Sequence, residues 1–331
     1  MTVTARYWHV LPDGRIACDL CPVGCKLREG QDGLCRTRGV TGGRLVAHQY
    51  GLVVSAGVDP IEKKPLYHYH PGQPILSVAA LGCNLHCEFC QNWTISQRGQ
   101  GPTTRMSPED VVAAAHETGS FGVAYTYSEP LVWFEFVLDT ARRVRTAGLK
   151  NVVVTNGYLN AEPLAELLPW LDAANVDLKG MDERFYERVC HASLQPVLHT
   201  ITAMHRAGVH VEVTNLVIPG HNDSDEHLRD LARFLGDLDP DLALHLSAYR
   251  PAYKFDAPPT PAATLRRAAG IARERLRHVY VGNLHVDGAT DTVCAACGRV
   301  LVRRLGYRTR TDLAAGPSCP GCGAAAPIRI D

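Results

Sequence analysis

Short apolar runs rich in β-branched residues alternate with longer segments of helical periodicity through the middle of the chain. The short runs predict strands at residues 75–79, 122–127, 151–155, 175–178, 210–218 and 243–247. The longer segments predict helices at residues 107–118, 131–147, 162–168, 194–207, 224–235 and 262–276. Such alternation is typical of an α/β fold with a parallel sheet. Six strand–helix units fit either a barrel or an open doubly wound sheet, and periodicity does not choose between them.

Polar residues gather where five of the predicted strands end. These strand ends are Tyr125 to Glu129, Thr155-Asn156-Gly157, Asp177 to Lys179, Thr214-Asn215 and His245 to Tyr249. Parallel α/β folds bind their ligands at the carboxyl ends of the strands. Five polar strand ends in one sheet therefore predict a shared pocket.

Charge and hydropathy narrow the partners that the protein can have. Lys and Arg number 34, and Asp and Glu also number 34, so no net field attracts nucleic acid or an anionic membrane. No apolar run approaches the roughly 18 residues of a membrane span. The first eleven residues lack the apolar core of a signal peptide. We expect a cytoplasmic protein without membrane or nucleic-acid partners.

Eleven of the twelve cysteines fall in three tight clusters. In a reducing compartment, clustered thiols are more often metal ligands or catalytic groups than disulfides. The clusters divide the chain into a four-cysteine module (1–72), a central strand–helix domain (73–284) and a small zinc-ribbon-like module (285–331). The twelfth cysteine, Cys190, is predicted to be a small buried apolar residue.

The central cluster has the spacing C-x3-C-x2-C, formed by Cys83, Cys87 and Cys90 directly after the first predicted strand. Three thiolates can hold a cubane iron–sulfur cluster, whose usual complement is four, and so leave one iron open to another ligand. The alternative is a zinc site with His86 as the fourth ligand. Three closely spaced thiols without a distant second pair favour the iron–sulfur cluster.

This spacing, with Phe89 before the last cysteine, resembles the signature of the radical S-adenosylmethionine (SAM) superfamily. The resemblance implies a partial (β/α)6 barrel, a [4Fe–4S] cluster on the three cysteines, and SAM bound to the open iron. It also implies reductive cleavage of SAM to a 5′-deoxyadenosyl radical that takes hydrogen from a substrate. An external electron donor such as ferredoxin or flavodoxin is implied as well.

Longer matches point to a narrower family within this superfamily. The segments Asp59-Pro-Ile-Glu-Lys-Lys-Pro-Leu-Tyr67, Cys90-Gln-Asn-Trp93, Val176-Asp-Leu-Lys179 and Tyr280-Val-Gly-Asn283 resemble the radical SAM enzyme of the AmmeMemoRadiSam system. Protein partners from that system would follow. The chain is less closely similar to activating enzymes of glycyl radical enzymes, so an activase that installs a glycyl radical on a partner protein is the alternative.

The resemblance also implies a set of residues around SAM. Many relatives carry Gly-Gly-Glu at the end of the second strand, where this chain has Tyr127-Ser128-Glu129. Ser128 and Glu129 suit the SAM ammonium because their oxygens accept hydrogen bonds, although both glycines are absent. Glu129 is alternatively an acidic residue in the first turn of a helix.

The remaining pocket candidates come from later strand ends and from the cysteine loop. Thr155 and Asn156 would meet the ribose or methionine end of SAM, or else form a turn. Asp177 and Lys179 match an Asp-x-Lys segment of activating enzymes, with Lys179 as the cation for the SAM carboxylate or as a solvated surface lysine. His245 would line the pocket or remain a satisfied polar residue near the core. Phe89 is expected against the adenine.

The amino-terminal cluster has four cysteines within eighteen residues: Cys18, Cys21, Cys25 and Cys35. Both a zinc ion with four thiolates and a second iron–sulfur cluster fit this donor set. The sequence leaves the choice between these two groups open.

The carboxyl-terminal cluster consists of two C-x2-C-G knuckles, Cys294 with Cys297 and Cys319 with Cys322. Such a pair predicts a zinc ribbon that folds around its metal. Five arginines nearby form either a solvated surface or a docking face: Arg299, Arg303, Arg304, Arg308 and Arg310.

The last features of the sequence concern two histidines, a non-enzyme alternative and the substrate. His68 and His70 are expected in a surface loop before Pro71-Gly72. A metal-stapled module that binds nucleic acid or protein is the non-enzyme alternative, and the neutral charge argues against it for nucleic acid. The substrate is not encoded in any motif.

Overall fold

The first part of the chain forms short antiparallel strands. The computed structural model describes residues 3–313 and 316–330, so parts of the predicted outer modules (1–2, 314–315 and 331) lie outside the described residues. The strands are β1 (Val3–Thr4), β2 (Trp8–Val10), β3 (Ile16–Cys18), β4 (Lys26–Leu27), β5 (Arg38–Thr41), β6 (Arg44–Ala47) and β7 (Leu52–Val53). They pair in the orders β1-β6-β5 and β2-β3-β4.

A mixed sheet of eight strands forms the centre of the molecule. The strands that follow in the chain are β8 (Ser55–Pro60), β9 (Pro74–Ala79), β10 (Thr104–Arg105), β11 (Gly122–Tyr125), β12 (Lys150–Thr155), β13 (Ala173–Asp177), β14 (His210–Val217), β15 (Ala243–Ala248) and β16 (Val279–Gly282). The order of the sheet is β16-β15-β14-β13-β12-β11-β9-β8, while β10 pairs with β7 outside it. From β9 to β16 the paired strands are parallel, and β8 is antiparallel at one edge.

The predicted α/β fold is confirmed, and the sheet extends beyond the prediction. The six expected strands correspond to β9 and β11–β15, and β16 adds a parallel strand that the sequence analysis did not include. The open order, with β8 and β16 at its edges, is that of a partial barrel. Strands β11 and β15 are buried along their whole length, as expected when helices cover a parallel sheet.

Helices connect the parallel strands on the outside of the sheet. They are α1 (Trp93–Ser96), α2 (Pro108–Glu117), α3 (Phe134–Thr146), α4 (Ala161–Leu167), α5 (Glu183–Phe185), α6 (Gln195–Arg206), α7 (Asp225–Leu238) and α8 (Ala262–Ala272). Helix α2 begins with the expected cap, because Ser107 Oγ accepts from the Asp110 N–H and Asp110 returns a bond to the Ser107 N–H. Such a cap stabilises a helix by about 1 kcal/mol. None of the helices in the described part of the chain is long and apolar enough to cross a bilayer.

Two further elements differ from the predicted helix pattern. The predicted helix 131–147 is split into a 3-10 turn, Pro130–Trp133, and α3. After α5 the chain forms one π-helical turn, Tyr186–Cys190, which ends at His191 in a left-handed conformation. These irregular turns lie next to the cavity described below.

The last part of the chain forms a small antiparallel sheet of three strands. They are β17 (Thr292–Val293), β18 (Val300–Leu305) and β19 (Arg308–Thr311). Leu301, Val302 and Ile328 form its apolar core together with two of the cysteines. A core this small needs a further cross-link to be stable.

Candidate active site

A cavity of about 340 Å³ lies at the carboxyl ends of the parallel strands. This volume is within the range of small-molecule sites. Ten of the residues expected at the site line the cavity: Cys83, Cys87, Phe89, Cys90, Ser128, Glu129, Thr155, Asn156, Asp177 and Lys179. The polar strand ends thus meet in one place, as their positions in the sequence predict.

The loop after β9 brings the three central cysteines to one wall of the cavity. Its backbone is fixed to the π-helical turn, because the N–H of His86 donates to Cys190 O at 3.0 Å and the N–H of Glu88 donates to Val189 O at 3.0 Å. Gly82, directly before Cys83, has a φ of 99°. A side chain at Gly82 would collide with the carbonyl oxygen of Cys35, so only glycine fits between the loop and the amino-terminal strands.

Two of the three sulfurs of this loop, those of Cys83 and Cys90, have polar neighbours. The N–H of Leu85 lies 3.4 Å from Cys83 Sγ, and Asn156 Nδ2 lies 3.5 Å from the same sulfur. The hydroxyl of Ser96 lies 3.1 Å from Cys90 Sγ. Hydrogen bonds of this kind orient and tune cysteines that ligate iron.

The environment of these thiols favours the protonated form unless a metal is bound. Burial raises the pKa of Cys83 well above its usual value. A hydrogen bond with Cys190, followed by burial, does the same for the pKa of Cys87. Metal ligation would release these protons and compensate the buried charge. Cys190 is fully buried, as expected, but the sequence did not indicate its contact with Cys87.

The carboxylate of Glu129 joins the ends of two strands beside the cysteines. It accepts from the Leu131 N–H at 2.9 Å, from the Thr155 hydroxyl at 2.6 Å and from the Asn156 N–H at 2.8 Å. Burial raises its pKa to about 7. Glu129 therefore caps the 3-10 turn and also borders the cavity. It combines the two roles that the sequence analysis gave as alternatives, an acidic residue at the start of a helix and a residue of the pocket.

Tyr127 occupies the place where many relatives have the first glycine of Gly-Gly-Glu. Its φ is 70°, a left-handed conformation that favours glycine. Its hydroxyl donates to the Asp59 carboxylate, which also holds Lys63 and Lys64, each at 2.7 Å. Tyr127 thus adopts the backbone conformation that glycine would provide, and the contact of its hydroxyl with Asp59 stabilises this conformation.

Asp177 and Lys179 form an ion pair at the end of β13. Lys179 Nζ lies 2.7 Å from Asp177 Oδ2, and the Lys179 side chain is 15% exposed, so it is not a solvated surface lysine. Burial opposes its charge, but the Asp177 carboxylate and the nearby Cys87 outweigh burial and raise the pKa of Lys179. A fixed cation therefore lines the same cavity as the thiols.

Comparison with known proteins decides the family. A model of the radical SAM superfamily matches residues 78–235. An uncharacterized protein of Methanocaldococcus jannaschii is 43% identical over 311 residues, which cover 92% of each chain. The pyruvate formate-lyase 1-activating enzyme of Escherichia coli K12 is 27% identical over 164 residues, 47% of this chain and 66% of that protein. A radical SAM methyltransferase from Sphaerobacter thermophilus has the same fold, with a TM-score of 0.51 at 21% identity over 70% of this chain and 71% of that one.

The chain belongs to the radical SAM superfamily. It is a radical SAM enzyme, and the family implies a [4Fe–4S] cluster, SAM and an electron donor. The cavity fits the first two groups, because it combines three closely grouped cysteines with a carboxylate and an ammonium group on neighbouring strands. The family match favours an iron–sulfur cluster on the three cysteines over the zinc alternative with His86 as the fourth ligand.

His245 takes the second of the two positions that the sequence analysis left open, that of a satisfied polar residue near the core. It is buried inside the barrel, with Nε2 2.6 Å from Glu212 Oε2, and it is not among the residues that line the cavity. His245 pairs in register with Thr214 of the neighbouring strand β14. Glu212 lies two residues before Thr214 on that strand and is therefore one layer of side chains farther from the cavity. The buried carboxylate draws the imidazole away from the cavity.

His68 also belongs to this interior rather than to a surface loop. It is 1% exposed, its N–H donates to Glu212 Oε1 at 2.7 Å, and its Nε2 lies 2.5 Å from the Tyr280 hydroxyl. The expectation of an exposed loop was wrong for His68 because apolar and histidine contacts inside a barrel leave no periodic signal in a short segment.

Two residues of the cavity, Lys63 and Asn283, were missed from the sequence. Thr214 and Ser247 also line it, and both belong to strand ends that the sequence predicts to share the pocket. Asn283 has a φ of 63° and donates from Nδ2 to Ala248 O at 3.1 Å. Lys63 and Asn283 belong to the segments that resemble the AmmeMemoRadiSam enzyme, and that signal could have indicated them.

The amino-terminal cysteines converge on a second, smaller cavity next to the radical SAM loop. Cys18, Cys21, Cys25 and Cys35 all line it, together with Asn84. All twelve cysteines of the enzyme are free thiols, so the clusters are not disulfide frameworks. The four-cysteine group predicted from the sequence is thus assembled.

The carboxyl-terminal cysteines lie close enough to share one metal ion. Cys294 Sγ is 3.7 Å from Cys322 Sγ, and Cys297 Sγ is 3.6 Å from Cys319 Sγ. All four sulfurs lie within 4.8 Å of one another. Sulfurs around a tetrahedral zinc ion with bonds of about 2.3 Å stand about 3.8 Å apart.

One arginine of the carboxyl-terminal sheet is buried rather than solvated. Arg304 is 5% exposed and donates to Tyr67 O at 2.6 Å and to Thr292 Oγ1 at 2.8 Å. Its guanidinium lies over the Tyr67 ring, and its Nε is 3.5 Å from Glu62. Neither a solvated surface nor a docking face describes this residue, because it anchors the last sheet to the segment before β9.

Proposed function

We propose that this enzyme holds a [4Fe–4S] cluster on Cys83, Cys87 and Cys90, cleaves SAM reductively, and is the radical SAM enzyme of an AmmeMemoRadiSam system. The observation that carries the proposal is the cavity, in which the three cysteines share one wall and Glu129, Asn156 and Lys179 end three neighbouring strands. When bound, the reduced cluster supplies the electron that divides SAM into methionine and a 5′-deoxyadenosyl radical, which takes hydrogen from the substrate.

The side chains around the cavity suit the two charged groups of SAM. The Ser128 hydroxyl donates to Ala80 O at 2.6 Å, so only its lone pairs remain for the SAM ammonium. Glu129 adds a carboxylate beside it, and Lys179 provides the cation for the SAM carboxylate. The ion pair with Asp177 holds the Lys179 ammonium in place before SAM binds. On binding, the SAM carboxylate would partly replace Asp177 as the partner of this ammonium.

The uncharged part of SAM would bind between the loop and the strand ends. Phe89, buried between Phe185 and Phe255 at ring distances of 6.1 Å each, holds the loop against the adenine position. Thr155 and Asn156 face the ribose and methionine side. The side-chain amide of Asn156 also contacts the sulfur of Cys83.

The outer parts of the chain have supporting roles in this proposal. The domains are residues 1–72, 73–284 and 285–331, with zinc on Cys294, Cys297, Cys319 and Cys322. Ferredoxin or flavodoxin would serve as electron donor, other proteins of the AmmeMemoRadiSam system as partners, and the cytoplasm as the compartment that keeps the thiols reduced.

A glycyl radical activase is the second candidate function. The similarity to pyruvate formate-lyase activating enzyme favours it, but it extends over only 47% of this chain. An activase would leave a stable glycyl radical on a separate protein, whereas the first candidate would not. Electron paramagnetic resonance of a mixture with a glycyl radical enzyme would distinguish the two.

The first experiment measures 5′-deoxyadenosine formed from SAM and dithionite under anaerobic conditions. Cys87→Ala should abolish the product. Cys190→Ala is the matched control, because it removes a neighbouring buried thiol that does not line the cavity, and it should keep the product. Equal cleavage by wild type and Cys87→Ala would refute the assignment of the three cysteines.

A further inference from the structure

The two four-cysteine sites differ in how their sulfurs are arranged. The four sulfurs of the carboxyl-terminal site lie within 4.8 Å of one another, as ligands of one tetrahedral ion do. In the described part of the chain, no three of Cys18, Cys21, Cys25 and Cys35 come that close together, and neither do Cys83, Cys87 and Cys90. The amino-terminal site thus resembles the proposed [4Fe–4S] site and differs from the ribbon.

We propose that Cys18, Cys21, Cys25 and Cys35 hold a second, fully ligated [4Fe–4S] cluster and not zinc. In a cubane each thiolate binds a different iron, so the sulfurs must stand farther apart than around a single ion. Four cysteines complete the usual ligand set and leave no iron open. This site would therefore not bind SAM, in contrast to the three-cysteine loop.

The surroundings of the four sulfurs fit a buried cluster. The N–H of Leu34 donates to Cys25 Sγ at 3.5 Å, and Arg38 Nη1 donates to Cys18 Sγ at 3.6 Å. The Thr37 hydroxyl lies 3.1 Å from Cys35 Sγ. Asn84 lines the site together with Cys21. Three of the four sulfurs thus have a hydrogen-bonding neighbour of the kind that sets the potential of iron–sulfur clusters.

Gly33 has no side chain beside two of the sulfurs. A Cβ on Gly33 would lie 3.6 Å from Cys25 Sγ and 3.9 Å from Cys35 Sγ, so the absence of a side chain at residue 33 leaves room between these two ligands. The outer wall of the site is apolar and includes Leu20, Leu27 and Val132. An apolar shell limits the access of solvent to a metal centre.

The proposed cluster lies directly beside the radical SAM site. Asn84 Oδ1 accepts from Asn156 Nδ2 at 3.0 Å, and Asn156 Nδ2 also lies 3.5 Å from Cys83 Sγ. Asn84 also lines the cavity of the amino-terminal cysteines, together with Cys21. Two amide side chains therefore lie between the two cysteine sites.

The test counts metals after anaerobic reconstitution with iron and sulfide. Wild type should hold about eight iron atoms and one zinc ion per chain, from two cubanes and the ribbon. The triple variant Cys83→Ala, Cys87→Ala, Cys90→Ala should keep about four iron atoms, acid-labile sulfide and the visible absorption of an iron–sulfur cluster. This variant leaves the amino-terminal ligands intact, so their folding is not put at risk.

The outcomes separate this inference from the proposed function. About four iron atoms and two zinc ions in wild type, with no iron in the triple variant, would overturn the second cluster and support the three-cysteine assignment. Iron in the triple variant equal to wild type would support the second cluster and refute the three-cysteine assignment. An unmetallated amino-terminal site, with one zinc and no iron in a folded triple variant, would also overturn the inference.

Discussion

The side-chain amide of Asn156 lies 3.5 Å from the sulfur of Cys83 and 3.0 Å from the side-chain oxygen of Asn84. One residue at the end of β12 thus contacts a proposed ligand of the iron–sulfur cluster and the residue that follows this ligand. Because an N–H···S bond stabilises the more negative, reduced cluster, this contact favours reduction.

Replacement of Asn156 by alanine should make the cluster harder to reduce. One hydrogen bond contributes about 1 kcal/mol. Its loss should therefore lower the midpoint potential of a one-electron couple by at most roughly 40 mV. A redox titration followed by electron paramagnetic resonance would measure it. Ser96→Ala, which removes the neighbour of Cys90, offers a comparison at a second ligand, and an unchanged potential in Asn156→Ala would show that the contact has no electronic effect.

SAM affinity should depend on pH through Glu129. Its pKa is about 7, so the carboxylate takes up a proton as the pH falls below 7 and can no longer pair with the SAM ammonium. The Kd for SAM should therefore rise about tenfold between pH 7 and pH 6 at most. Equilibrium binding from pH 6 to pH 8 would measure this.

The control for this pH effect is Glu129→Gln, which keeps the shape and removes the titrating group. It should bind SAM more weakly at pH 8 and show a flat dependence over the same range. A wild-type Kd that does not change between pH 6 and pH 8 would mean that Glu129 does not pair with the ammonium.

Lys179→Met should weaken SAM binding by about 10- to 100-fold, because a charge-assisted hydrogen bond of about 1.5–3 kcal/mol is lost. The cluster should remain, since Lys179 is not a thiol ligand. Combining it with Asp177→Asn avoids leaving that carboxylate unpaired next to the apolar methionine. Lys26→Met, at an exposed position in β4, is the matched control. Isothermal binding of SAM to the reconstituted proteins gives the comparison, and unaltered affinity would exclude the lysine from the carboxylate site.

Arg304→Ala should lower the free energy of unfolding by about 3 kcal/mol or more, because it leaves Glu62 buried without its cationic partner and removes the bonds to Tyr67 and Thr292. Its neighbour Arg303 is exposed, so Arg303→Ala should change stability by no more than about 0.5 kcal/mol. Denaturant unfolding of the metal-loaded proteins measures both. Equal stability of the two variants would contradict the anchoring role.

The sequence predicted those parts of the site that depend on local spacing. The three-cysteine loop, Glu129 and Lys179 were found because each follows a strand that the apolar pattern marks, and strand ends of a parallel sheet converge. The knuckles of the last cluster were found because two C-x2-C pairs bring four thiols together with little dependence on the rest of the fold.

The parts that were missed depend on contacts between distant segments. The imidazole of His245 is held by Glu212, thirty-three positions away in the chain, and Arg304 is buried against Glu62 and against Tyr67, 237 positions away in the chain. Strand β16 has only four residues, too few for a clear period. None of these arrangements leaves a local pattern, because the partner that decides each one lies on another element.

Tyr127 has a positive φ at a position where many radical SAM enzymes have glycine. A tyrosine in a left-handed conformation costs on the order of 1 kcal/mol, a cost that glycine avoids. The hydroxyl contact with Asp59 connects the strand end beside the cavity to the segment 59–67. Glycine in place of Tyr127 would relax the backbone and at the same time uncouple this segment from the mouth of the cavity.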